Sequence, residues 1–192
     1  MRWDGLFADL EAQATALSAA ERDAEIDDRS RSEVGRLTLV DRLYGAVGSR
    51  IRLVCRGELA LAGQLARVHP EWLLLSEGGG QETLVALWAV LSVAGLGRLS
   101  AAPGTMPAVD SRFGLSLALR GIARDRSMVR LHLVDGGALA GTLDRVGVDF
   151  VELAVHPADE LRRHSAVRQL LVVPIGSVAA LRRANDNAPS SG

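Results

Sequence analysis

The chain has 192 residues, of which 22 are basic and 23 acidic, giving a net charge of −1 at pH 7. This length allows one ordinary domain or two small ones, and a hydrophobic content of 48% excludes a chain that is disordered throughout. All the basic residues are arginine, and the near-neutral balance excludes a global positive field that attracts nucleic acid. The single cysteine, Cys55, excludes an intrachain disulfide and a multi-cysteine zinc site.

The first 36 residues are predicted to form an acidic N-terminal helical segment. Ten acids and six arginines lie between residues 1 and 44. Because these charges interrupt the apolar residues, the segment lacks the core of a signal peptide. An amphipathic helix is indicated by apolar residues that recur at helical spacing, beginning with Trp3, Leu6, Phe7 and Leu10.

The longest stretch without charge, residues 84–97, has 14 residues. A membrane-spanning helix needs about 20 apolar residues, and shorter runs are more often buried core. We therefore expect a cytoplasmic protein that has no membrane partner.

The chain contains an internal repeat. With a shift of 78 positions, residues 51–76 align with residues 129–154 without a gap, and ten of the 26 pairs are identical. The block Ala-Leu-Ala-Gly-x-Leu-x-Arg-Val occurs in both copies, at 60–68 and 138–146. A further shift of seven residues, attributed to a longer loop, aligns the ends of the copies, so that Val93 matches Val178. We therefore expect two copies of one structural unit.

Each unit is predicted to contain one helix followed by five short strands. Thr38 and Ser116 are N-cap candidates before a helical pattern, and alternating apolar residues then predict strands. Gly63 and Gly141 lie inside the second strands, where glycine indicates a bulge or a sharp bend. In the first unit the strands are expected near 50–56 and at 59–68, 72–76, 84–90 and 91–94; in the second, the last three are expected at 150–154, 170–173 and 177–181.

This pattern resembles the Sm-like (Sm/LSm) family of small barrels. The resemblance covers residues 37–98 and 115–183 and is carried by Val129-Arg130-Leu131, Asp135-Gly136, Ala140-Gly141-Thr142-Leu143 and the run 146–153. It implies an α+β, mainly β fold: two tandem five-stranded bent-sheet barrels, each preceded by a short helix, plus the N-terminal helical segment. The expected boundaries are 1–36 for that segment, 37–98 for barrel 1, 99–111 for a linker, 112–183 for barrel 2 and 184–192 for a disordered tail.

The residues by which members of that family hold uridine-rich RNA are missing here. Glu152 and Leu74 or Leu75 lie where the family has an asparagine, and neither copy has a basic residue followed by glycine between its last strands. The resemblance therefore implies ring formation rather than RNA binding. Ring formation depends on backbone pairing of exposed edge strands, which needs no particular side chain.

No group of residues in the sequence has the types and spacing of a catalytic, cofactor-binding or metal site. The run 78–80 is interpreted as a hairpin rather than a phosphate loop, Cys55 as a core residue, and His132 as a surface residue without a nucleophile nearby. The metal-ligand types His156, Asp159, Glu160 and His164 are interpreted as one solvated helix in the loop before the fourth strand.

The sequence supports two hypotheses for the function. The first is a non-enzymatic assembly or adaptor module: the two barrels pair within the chain, the protein self-associates or binds a protein partner, and the helix of Trp3, Leu6, Phe7 and Leu10 is the contact. The alternative is an RNA- or DNA-associated regulator that neutralises phosphates. Its candidate residues are four arginines of the more basic second copy: Arg120, Arg124, Arg126 and Arg130.

Overall fold

The computed structural model describes residues 34–97, 100–101, 114–155 and 169–183. The chain divides into two compact units, Met1–Thr38 and Leu39–Gly192. Only residues 34–38 of the first unit are described, so the predicted apolar stripe of the N-terminal segment lies outside the described residues. The architecture below is that of the second unit.

Within the described ranges, the second unit contains two repeats, each of one helix and five strands. The first repeat consists of α1 (Leu39–Tyr44), β1 (Arg50–Cys55), β2 (Ala60–Val68), β3 (Trp72–Ser76), β4 (Glu82–Ala86) and β5 (Val90–Ala94). The second consists of α2 (Leu115–Arg124), β6 (Met128–Leu133), β7 (Ala138–Val146), β8 (Phe150–Val155), β9 (Gln169–Pro174) and β10 (Val178–Arg183). The mainly β class expected from the sequence is therefore present.

All ten strands form one antiparallel sheet, in the order β5-β1-β2-β3-β4-β10-β6-β7-β8-β9. Within each repeat the first four strands pair in sequence, and the fifth returns to pair with the first. The repeats are joined where β10 pairs with β4, with Ala180 opposite Val85 and Leu181 opposite Leu84. Strand β10 therefore has two neighbours, whereas its counterpart β5 has one among the described residues.

The strand registers correct the alignment of the repeats. Arg52 lies opposite Ala62, and Arg130 lies opposite Ala140, which reproduces the shift of 78. In the last two strands of each repeat the shift is 88 rather than 85, because Leu53 lies opposite Val93 while Leu131 lies opposite Leu181. The match of Val93 with Val178 was wrong, since short strands of Ser, Val and Ala align almost equally well in several registers.

The end of the fourth strand also differs from the prediction. Strand β4 stops at Ala86, and a 3-10 turn, Leu87–Ala89, separates it from β5. The expected strand over 84–90 is wrong because the turn is as apolar as the strand. Ala89 is fully buried, and a continuous apolar run carries no signal for where a strand ends.

The N-terminus of α2 is stabilised from a distant part of the chain. The predicted cap, Ser116, lies inside the helix, which begins at Leu115 after Gly114. The Leu115 N–H donates instead to Oε2 of Glu71, at 2.7 Å, from the turn between β2 and β3. A helix leaves its first N–H groups without intrahelical partners, and the Glu71 carboxylate satisfies one of them.

The two strand glycines do not mark the bulges. The registers shift between Leu65 and Arg67 and between Leu143 and Arg145, further along each strand than predicted. Position 63 needs glycine because the neighbouring strand leaves no room for a side chain. A Cβ there would lie 2.7 Å from the carbonyl oxygen of Ser76.

The hydrophobic core consists of two clusters that exchange residues at the β4–β10 junction. Leu84, Ala86 and Ala89 of the first repeat are buried in the cluster of the second. Ala180 of β10 is buried in the cluster of the first repeat. Each repeat thus supplies part of the interior of the other, and separating them would expose apolar surface on both sides.

Candidate functional site

The described sheet ends on two strands whose outer edges are unpaired. Strand β9 pairs only with β8, and β5 pairs only with β1, among the residues described. Unpaired N–H and C=O groups along such an edge are a template for another strand. These two edges are called the β9 edge and the β5 edge below.

Both edges carry apolar side chains that are exposed, although their counterparts in the other repeat are buried. Val172 on β9 is 62% exposed, whereas its counterpart Leu84 on β4 is 6% exposed. Leu91 on β5 is 63% exposed, whereas its counterpart Ala179 on β10 is fully buried. The difference arises because β4 and β10 pair with each other. The exposed residues of β9 and β5 therefore lie on surfaces equivalent to those that β4 and β10 bury against each other at the centre of the sheet.

A polar network secures the central junction. The guanidinium of Arg182 donates from Nη2 to both carboxylate oxygens of Glu77, at 2.7 and 2.9 Å. Its Nε donates to Oγ1 of Thr83 at 3.1 Å, and the Thr83 hydroxyl donates to Glu77 at 2.6 Å. These groups are largely buried, and two-point contact of guanidinium with carboxylate fixes geometry as well as adding energy. The network joins β10 to the β3–β4 hairpin and so fixes their register.

His132 lies beside this network. The sequence predicted a surface position, but the side chain is half-buried and its Nε2 is buried without a hydrogen-bond partner. Burial lowers the pKa of His132, and the positive charges of Arg182 and Arg130 lower it further, against a smaller opposing effect of Glu77. The imidazole is therefore held in its neutral form.

A cleft lies between the two repeats and is called the inter-repeat cleft below. Its volume is about 830 Å³, within the usual range for small-molecule sites. The first repeat contributes Tyr44 and Val47 near α1, and Arg67, His69 and Trp72 near the β2–β3 turn. The second contributes one face of α2, with Leu117, Ala118, Arg120, Gly121 and Arg124.

The structure separates the four arginines proposed for nucleic acid. Arg120 and Arg124 line the inter-repeat cleft, whereas Arg126 and Arg130 are not among its described lining residues. Arg130 lies on β6 opposite Arg182, and Arg126 lies in the turn after α2. The predicted cluster is thus two arginines in a cleft and two elsewhere.

The remaining candidates are placed as follows. Cys55 is fully buried in the core of the first repeat, and burial raises the pKa of its thiol to about 11, so it is not an activated nucleophile. Gly78–Gly80 form a 3-10 turn between β3 and β4. The residues His156, Asp159, Glu160 and His164 lie outside the described residues, and within the described ranges no group of three or more His, Cys, Asp or Glu could hold a metal ion.

Sequence reasoning placed His69 and Glu71 in a turn and assigned no role to Glu77. Glu71 and Glu77 act through contacts with Leu115 and Arg182, far away in the chain, so local pattern carries no signal for them. A signal does exist in the comparison of the repeats: Glu77 corresponds to Val155, and Arg182 to Ala94. The copies differ in charge at both positions, and both Glu77 and Arg182 lie at the junction.

Neither the models of known protein families nor the curated proteins contain a match to this chain. Among its described helices, none has the length and apolar character needed to cross a membrane.

Proposed function

We propose that this protein is a non-enzymatic assembly module, built from two tandem barrels of the Sm-like type, whose copies join head to tail through the β9 and β5 edges. The order of one helix and five short antiparallel strands in each repeat supports the barrel interpretation. The observation that carries the proposed function is the contrast between Val172 and Leu91, exposed at the two edges, and their buried counterparts at the β4–β10 junction.

The junction inside the chain provides the geometry for the contact between chains. Applying the shift of 88 to the β4–β10 register places Val93 of one copy opposite Val172 of the next, as Leu181 lies opposite Leu84. The same shift places Ser92 opposite Val173, as Ala180 lies opposite Val85. The two strands then run antiparallel, as β4 and β10 do, and the unpaired backbone N–H and C=O groups of both edges gain hydrogen-bond partners.

Burial of the exposed apolar side chains supplies the driving force. Val172 and Leu91 are each more than half exposed, and covering such a side chain is worth about 1–2 kcal/mol. Because the two edges differ, the contact is heterologous. Repeated contacts of this kind close into a ring when the rotation between copies allows it.

The proposal is tested by placing a charge on one edge at a time. Val172→Lys should block the β9 edge, and Leu91→Lys the β5 edge, because a lysine within a new strand pair would lose its hydration. Val148→Lys is the matched control, since Val148 is 85% exposed in the turn before β8. The masses are measured by size-exclusion chromatography with light scattering.

We expect oligomers for the wild type and the control, and monomers for each edge variant alone. An equimolar mixture of the two edge variants should form a one-to-one dimer and nothing larger, because one intact edge of each kind remains. A monomeric wild type, or edge variants that assemble like the control, would contradict the proposal. Nucleic acid that elutes with the wild type and is lost in Arg120→Ala with Arg124→Ala would favour the alternative regulator instead.

A further inference from the structure

The charged residues that line the inter-repeat cleft are all positive among those described. Three arginines line it, Arg67, Arg120 and Arg124, and no aspartate or glutamate is among the described lining residues. The rest of the wall is mainly apolar and aromatic, including Tyr44 and Leu117. An occupant that matches this wall has a negative charge on an apolar body.

One of the cationic groups is held in place. Arg120 donates from Nε to the carbonyl of Val146 at 3.3 Å and from Nη2 to the carbonyl of Gly147 at 3.1 Å. The carbonyls fix the guanidinium on the cleft wall, and its Nη1 has no partner in the described part of the chain. A donor held in this way loses little freedom when an anion binds.

The aromatic wall is fixed as well. The rings of Trp72 and His69 stack with centroids 5.4 Å apart and an angle of 12° between their planes. His69 is 3% exposed, and its Nδ1 accepts the N–H of Glu71 at 3.1 Å, so that the proton of the neutral ring is on Nε2. That Nε2 is buried without a hydrogen-bond partner. The imidazole therefore serves the cleft as a packed, immobile support for the Trp72 ring.

The second repeat lacks these features at the equivalent positions. Gly147 replaces His69, and Phe150 replaces Trp72. The ring of Phe150 fills the space that a side chain at position 147 would need. The cleft walls are therefore a property of the junction between the repeats rather than of the repeated unit.

We propose that the inter-repeat cleft binds a small aromatic oxyanion, a ligand with a flat aromatic ring and a carboxylate or similar group. The ring lies against Trp72, and the oxyanion is bound by Arg120, with Arg124 and Arg67 beside it. All these groups come from one chain, so the inference does not depend on head-to-tail assembly.

The probe is 8-anilinonaphthalene-1-sulfonate, and its uncharged relative N-phenyl-1-naphthylamine serves as the comparison. Both are titrated into the full chain carrying Trp3→Phe and Trp88→Phe, which leaves Trp72 as the only tryptophan. Energy transfer from Trp72 to the bound dye reports binding, and weaker binding in the arginine variant but not in the control reports that the dye occupies the cleft. The variant is Arg120→Gln with Arg124→Gln, and the control is Arg145→Gln, which changes an exposed arginine of β7 that is not among the described lining residues of the cleft.

We expect saturable energy transfer with the sulfonate, and a dissociation constant about 5- to 30-fold higher in the Arg120→Gln, Arg124→Gln variant, as the loss of charge-assisted contacts predicts. The uncharged dye should bind equally to the variant, the control and the parent chain. The proposal is overturned if Trp72 transfers no energy. It is also overturned if the arginine variant binds the sulfonate as the control does, or if it loses both dyes equally.

Discussion

His132 connects a single residue to the stability of the junction between the repeats. It takes the place that Val54 has in the first repeat, and there it meets Arg182 on one side and Arg130 on its own strand. A valine would suit this site without any dependence on pH. The histidine makes the junction sensitive to protonation, because its charged form is disfavoured by burial and by both guanidinium groups.

The stability of the fold should therefore fall in mild acid. Because the pKa of His132 is lowered in the folded protein from 6.5, the unfolded chain binds a proton more readily. The stabilisation is present above about pH 6.5 and is lost as the pH falls below that value. We expect the urea midpoint of the wild type to decrease between pH 7.5 and 5.5, and His132→Gln to show a smaller decrease. An equal decrease in both proteins would contradict this role of His132.

Single residues were predictable where the local pattern decides their environment. Cys55 alternates with Leu53 in the sequence, and both are buried in the core as that alternation predicts. Trp72 begins the mainly apolar strand β3 and is partly exposed, and the sequence could not show that the second repeat would form a cleft beside it. The prediction that His132 lies on the surface was wrong for the same reason, since its neighbours Arg182 and Glu77 are remote in sequence.

At the scale of elements, the cap of α2 depends on the first repeat. Glu71 accepts the Leu115 N–H across 44 residues of sequence, and its own carbonyl accepts the N–H of Leu87 at 2.8 Å. The same residue thus holds the start of α2 and the 3-10 turn before β5. The helix that forms one wall of the inter-repeat cleft is therefore positioned by the turn that forms the other.

Removal of this cap should weaken the fold measurably. Glu71→Ala leaves the first N–H groups of α2 without the carboxylate, and we expect the free energy of unfolding to fall by about 0.5–2 kcal/mol, the usual cost of losing a cap. Glu82→Ala, at another exposed glutamate, is the control. The two are compared by urea denaturation. If both variants lose the same stability, or neither loses any, the Glu71 carboxylate does not stabilise α2.

Each strand with expected bounds, except β4, begins and ends within two residues of them. In β1 and β2 buried and exposed residues alternate, and β3 and β8 begin after turns that contain a proline or a glycine. The expected bounds were wrong for β4, and the alignment with the first repeat was wrong for β10; these two strands pair at the junction. Strands buried by a second neighbour become apolar on both faces, so that alternation no longer shows where they end or how they align.

At the largest scale, the described sheet of the second unit has a specific connection at its centre and an apolar edge at each end. At the centre, Arg182 and Glu77 form an ion pair at 2.7 Å. The shifts that relate the repeats place Ala94 and Val155 at the corresponding positions of the edges. Strand β5 therefore cannot reproduce the charged contact with Glu77 that β10 makes. This difference favours β10 as the partner of β4 and, in the proposed assembly, leaves β5 for the β9 edge of another copy.

Oxidative cross-linking at the proposed register tests the central claim most directly. Directly opposed residues of antiparallel strands have Cα atoms about 4.5–5.5 Å apart, within the range for a disulfide. With Cys55→Ala as background, Val93→Cys with Val172→Cys should yield covalent dimers and larger species on a non-reducing gel. Val93→Cys with Leu170→Cys is the control, because its two cysteines lie two residues out of register. Efficient cross-linking of the first pair alone is the predicted result; no intermolecular cross-link, or equal cross-linking of both pairs, would contradict head-to-tail assembly through these edges.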